Sequence, residues 1–80
     1  MGIKNAVVER IKKLCKQKSI KFNELATRSG VTPSTVYSML DERRLDVGIV
    51  LLKKLCDGLE ITIQEFFDSD LFDGLEQELK

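Results

Sequence analysis

The side chains best able to do chemistry are concentrated between residues 32 and 44. Thr32, Ser34, Thr35, Tyr37 and Ser38 carry hydroxyls, and Arg43 and Arg44 follow them. The chain has no histidine, so the commonest general base and commonest metal ligand are missing. A serine without a base beside it is a poor nucleophile, which leaves Ser29 and Ser34 unactivated. Pairs such as Asp68 and Asp70 read as helix caps rather than as acid and base. The hydroxyls are therefore donors and acceptors for recognition, and the chain is expected not to be an enzyme, with no catalytic residue and no cofactor. Cys15 and Cys56 stand alone, without a CxxC pair, so no metal site is expected. Each falls on an apolar helix face and reads as a reduced core residue. A disulfide between the first and fourth helices is the alternative.

The element that must position these groups is Phe22 to Asp41, FNELATRSGVTPSTVYSMLD. It reads as two short helices joined by a tight turn. Gly30 supplies the left-handed residue that the turn needs. Thr32 is placed to cap the second helix, with Pro33 at its first position, where the missing N–H costs nothing. Val36, Met39 and Leu40 recur at helical spacing and give that helix one apolar side. Ser34, Thr35, Tyr37 and Ser38 are left on the other faces. Leu25 and Val31 complete the apolar side of the pair, and Ala26 is the small residue expected where the two helices touch.

These features resemble the helix-turn-helix of the lambda-repressor-like, Xre-type DNA-binding domains. The resemblance covers about residues 5 to 67, including LKKLCDGLEITIQEFF after the helix pair. It implies an all-α fold, a compact five-helix domain over residues 1–67. It also implies a sequence-specific, DNA-binding transcriptional regulator, a repressor, of bacterial, phage or mobile-element origin. The helix 33–40 would lie in the major groove. Base contacts would come from Pro33, Ser34, Thr35, Tyr37 and Ser38, and phosphate contacts from Lys21, Phe22, Thr32, Arg43 and Arg44. The family usually has Ser or Thr, then Gln, where this chain has Lys21 and Phe22. The phosphate contact there would fall to backbone N–H groups at the helix start and to the Lys21 charge. Asp41-Glu42 is more acidic than the family's usual turn, and Arg43 and Arg44 would offset it. The implied partners are double-stranded DNA with a pseudo-palindromic operator and a second copy of the chain, as a homodimer. The family also supplies antitoxins, which bind DNA and a partner protein, and the acidic C-terminal surface would be the partner site in that alternative.

Net charge is zero over 80 residues, which is unusual for a polyanion binder. The charges are unevenly distributed, however. Residues 1–54 hold 12 Lys/Arg and 5 Asp/Glu, a balance of +7, while residues 55–80 hold 1 Lys and 8 Asp/Glu, a balance of −7. Charges farther apart than about 8–10 Å are screened at physiological salt, so a basic face and an acidic end can coexist. The N-terminus, MGIKNAVVERIKKLCK, reads as neither signal peptide nor membrane span. Ala6 spoils a myristoylation motif. A cytoplasmic, nucleoid-associated protein is expected, with no small-molecule effector evident.

Ile3, Val7, Ile11, Leu14 and Cys15 mark the core stripe of a first helix over 3–18, with Arg10, Lys12, Lys13, Lys16 and Lys18 on other faces. Ile49 to about Gly58 reads as a fourth helix with Ile49, Leu52, Leu55, Cys56 and Leu59 inward, widened by Val50 and Leu51. Thr62 and Glu65 form a capping box for a fifth, with Ile61 packing on Phe66 as a staple. Residues 68–80 are an acidic tail. Asp70 is placed to cap a short docked helix there, with Leu71, Phe72, Leu75 and Leu79 on one side.

Overall fold

A computed structural model describes residues 1–79. It is all-helical: α1 Ile3–Lys18, α2 Phe22–Ser29, α3 Pro33–Leu40, α4 Ile49–Gly58 and α5 Ile63–Phe67, followed by one 3₁₀ turn at Asp70–Phe72. The core is built from Val7, Ile11, Leu14 and Cys15 of α1, Leu25 and Ala26 of α2, Val36 and Met39 of α3, Leu52, Leu55 and Cys56 of α4, and Phe66 of α5. Ile20 and Leu59, at helix ends, complete it. Burial pushes the thiols of Cys15 and Cys56 up, and both are free; the alternative disulfide does not form.

Three helices end in the same way. Ser19, Gly30 and Glu60 have φ of 55°, 71° and 59°. The next residue in each case, Ile20, Val31 or Ile61, donates its N–H back five residues, to Cys15, Ala26 or Cys56. This is the Schellman motif, which satisfies carbonyls at the helix end and turns an apolar residue back onto the core. Only the glycine was readable as such a stop. Ser19 and Glu60 adopt a conformation that costs an L-residue roughly 1–2 kcal/mol.

Ala26 is fully buried, and a tight helix approach that the sequence did not reveal is found elsewhere. It lies between α2 and α4, where a Cβ on Gly58 would sit 2.2 Å from Ser29 Oγ and 3.1 Å from its backbone nitrogen. The Ser29 hydroxyl is buried there without a hydrogen-bond partner among the described residues.

Several expectations are corrected. Ile49 and Val50 are 69% and 66% exposed. They occupy the first turn of α4, and only the later positions, from Leu52 on, enter the core. Ile3 is likewise exposed at the start of α1, while Ala6 and Val8 are buried. The C-terminal helix is a single 3₁₀ turn capped by Ser69, whose Oγ accepts the Leu71 N–H. Gly74 then adopts φ 65°, no helix follows among the described residues, and Leu79 is exposed. Docking does occur. Phe72 packs on Phe66 and Phe67, with ring centroids 6.0 and 4.8 Å away, and the Met1 carbonyl accepts the Glu76 N–H.

Candidate nucleic-acid interface

The local chemistry of α3 places its polar groups. Thr32 caps the helix, its Oγ1 accepting the Thr35 N–H at 3.3 Å, with Pro33 at the first helical position. Val36 and Met39 are buried, which turns Pro33, Ser34, Tyr37 and Ser38 outward as one exposed arc. Thr35 lies at the edge of that arc and is half-buried. Its hydroxyl is 2.9 Å from Thr32 Oγ1, and Ser34 Oγ is 3.0 Å from the same atom. Three hydroxyls therefore share one small network at the N-terminal end of α3. Each can rotate between donating and accepting, so the network can adapt to either pattern presented to it.

Tyr37 is half-exposed and packs edge-on against Phe22, centroids 6.0 Å apart. That contact ties α3 to the start of α2. Lys12, Lys16 and Lys21 surround this ring pair in one shallow depression. At the start of α2 no side chain caps the helix, so the N–H groups of Phe22, Asn23 and Glu24 point outward without a backbone partner among the described residues. Unpaired first-turn donors with lysines beside them make an anion-attracting end. The Glu24 carboxylate in that turn is neutralised by Arg28, 2.7 Å away.

The other flank is the turn after α3. Asp41 Oδ1 accepts the Arg43 backbone N–H at 2.9 Å, and its two carboxylate oxygens take the Arg43 guanidinium at 3.1 and 2.8 Å. The Arg43 side-chain and backbone hydrogen bonds hold the Asp41 carboxyl down at about 2. Arg43 is thus occupied on one edge, while Arg44 makes no ion pair among the described residues. Arg44, Asp46 and Leu51 share a concavity with Ser34, Thr35 and Ser38.

Sequence reasoning passed over Lys4. It is 8% exposed, and its ammonium donates to the carbonyls of Asp41 at 3.0 Å and Arg44 at 2.7 Å. It pins both ends of the turn that carries the arginines. Its only signal was a charge one position from an apolar stripe, which periodicity counts as surface. Arg10 also has an internal task, donating to the carbonyls of Phe66 and Glu65 at the end of α5.

The structure therefore brings Lys21, Phe22, Thr32, Pro33, Ser34, Tyr37 and Ser38 onto one side, with Thr35 at its edge and Arg43 and Arg44 beyond the end of α3. No curated protein and no solved structure matches the chain. Residues 10–70 match the family described as the Cro/C1-type HTH DNA-binding domain, the group that the helix pair resembles. With its five helices and the turn at Gly30 in place, the chain belongs to the Cro/C1-type helix-turn-helix DNA-binding family.

Proposed function

We propose that the chain is a sequence-specific transcriptional regulator that acts as a repressor, with α3 in the major groove. Pro33, Ser34, Tyr37 and Ser38 read base edges, with Thr35 contributing its methyl at the margin. Lys21, the Phe22 backbone N–H, Thr32, Arg43 and Arg44 hold phosphates on either side. The observation that carries this reading is the polar arc of α3 with cations flanking both of its ends. Phosphate contacts of this kind fix the register of a protein on DNA, and base contacts specify the site. One short helix gives a small interface. The regulator therefore binds as a homodimer on a pseudo-palindrome, with half-sites about 34 Å apart. The antitoxin-like alternative draws less support, because Phe72 of the acidic tail is packed on its own domain.

Selection from a randomised duplex library, followed by titration from about 50 to 200 mM salt, tests the proposal. Enrichment of a pseudo-palindrome with a steep negative salt slope is the expected result. Absence of binding even at the lowest salt would sink it. Ser34→Ala should relax base preference, whereas Arg43→Ala should weaken all sequences about equally.

A further inference from the structure

The exposed arc of α3 is made mostly of small groups. Ser34 and Ser38 carry short hydroxyls, and Pro33 offers only an apolar ring. A hydroxyl that both donates and accepts distinguishes base edges poorly. Tyr37 is the large side chain of the arc and is 52% exposed. Its own hydroxyl makes no hydrogen bond among the described residues. A tyrosine standing free on a helix surface samples more than one χ1 rotamer. Ordering it against a base edge then costs part of the affinity that the contact supplies.

Tyr37 does not stand free. The Phe22 ring meets it with centroids 6.0 Å apart and planes at 86°, inside the range that edge-to-face aromatic pairs prefer. Phe22 is itself anchored, half-buried and packed against the core as the first residue of α2. The core therefore reaches Tyr37 through one ring. That ring has no donor for a phosphate, so the side chain of Phe22 plays no part in the phosphate contact assigned to its backbone N–H. Buried Cys15 and Ile20 line the depression around the pair, together with Lys12, Lys16 and Lys21. The ammonium groups are donors only, so they give the phenol proton nowhere to go and leave it for an outside acceptor.

We infer that Tyr37 is the dominant base-discriminating residue of this chain and that Phe22 is its positioning residue, holding the phenol in one rotamer before DNA arrives. The inference rests on the DNA-reading role of α3 proposed above and names the residue pair that makes it selective. Without the Phe22 ring, Tyr37 must be ordered at the moment of binding, and its discrimination weakens by about two- to tenfold.

Affinities for the selected duplex and for its single-base-pair variants test the pair. Tyr37→Ala should abolish the preference at one base-pair position. Phe22→Leu, which keeps an apolar side chain on the core, should weaken the preference at that same position by about two- to tenfold, and should add nothing in the Tyr37→Ala background. If Phe22→Leu lowers affinity for every sequence alike and leaves the preference intact, Phe22 is a packing residue and the inference is overturned. An unchanged preference in Tyr37→Ala overturns it as well. A readout without DNA keeps the two readings apart. NMR couplings across χ1 should report one Tyr37 rotamer in the wild type and averaging in Phe22→Leu. Averaging already in the wild type would overturn the positioning role whatever the DNA measurements give. A single rotamer in a chain that binds no duplex would instead sink the DNA reading, and the base-discriminating role with it.

Discussion

Lys4→Met removes an ammonium while keeping a side chain of similar length over the core. The ammonium donates two hydrogen bonds, 3.0 and 2.7 Å long, to the carbonyls of Asp41 and Arg44. Hydrogen bonds involving a charged group contribute about 1.5–3 kcal/mol each. Both carbonyls belong to a surface turn, so water replaces part of what is lost, and a net cost of about 2–3 kcal/mol follows. A chain of this size has only about 4–12 kcal/mol in total. The melting temperature should therefore fall by about 10–20 °C, read by circular dichroism, with a matching shift in the urea midpoint. The same change frees the turn that carries Arg43 and Arg44. DNA affinity should drop for every duplex alike, at a temperature where the variant is still folded. A Met variant within about 0.5 kcal/mol of the parent would show that Lys4 is an ordinary surface lysine and that the turn holds itself.

Gly58→Ala should cost about 2 kcal/mol through its clash with Ser29, while Ser29→Ala should stabilise by about 1 kcal/mol by removing an unpaired buried hydroxyl; urea melts measure both, and a tolerated Gly58→Ala would contradict the close approach. Glu60→Gly should raise stability by about 0.5–1 kcal/mol, because glycine adopts the φ of 59° without strain; a lower melting temperature would refute this. Asp41 is held at about 2, below its ordinary 3.8, so its stabilising contribution is complete above the ordinary value and is lost as pH falls through about 2. Carboxyl NMR titration of Arg43→Ala should show the Asp41 value rising toward 3.8. Asp41→Asn keeps an acceptor for the Arg43 N–H but frees the guanidinium; affinity for any duplex should rise and the salt slope steepen by about one unit, and an unchanged slope would remove Arg43 from the phosphate contacts.

Local devices were legible in the sequence because their parts lie within a few residues of each other. The Gly30 turn, the Thr32-Pro33 helix start and the Thr62–Glu65 capping box all took the form that their residue types require. The outward arc of α3 was legible for the same reason: Val36 and Met39 face the core, and the 3.6-residue period leaves little choice for the rest. Distant partners were not legible. Lys4 bonds groups 37 and 40 residues away, and Arg10 bonds groups 55 and 56 away. Periodicity sees each only as a charge. The Gly58–Ser29 approach is a property of two helices, not of either alone. Ile49 and Val50 carry the right residue type for the core but lie on a turn of α4 that runs beyond it.

The electrostatics of the candidate interface follow from pairing as much as from residue counts. Residues 41–44 contribute two carboxylates and two guanidiniums, so the turn as a whole brings no net charge to a phosphate. One of the two guanidiniums is already held by Asp41. The positive surplus on this face therefore lies at its other end, where Lys12, Lys16 and Lys21 surround the Phe22–Tyr37 pair and the first amides of α2 point outward. Among the described residues Lys12 pairs with Glu9 at 3.8 Å, a solvent-exposed pair that contributes little, and Lys16 and Lys21 make no ion pair. A polyanion approaching this face meets its strongest attraction at the start of α2. On the reading proposed above, Arg43 and Arg44 would then meet phosphates from a turn that is fixed from behind by Lys4 and adds no net charge, so that its part would be to position α3 more than to attract the polyanion.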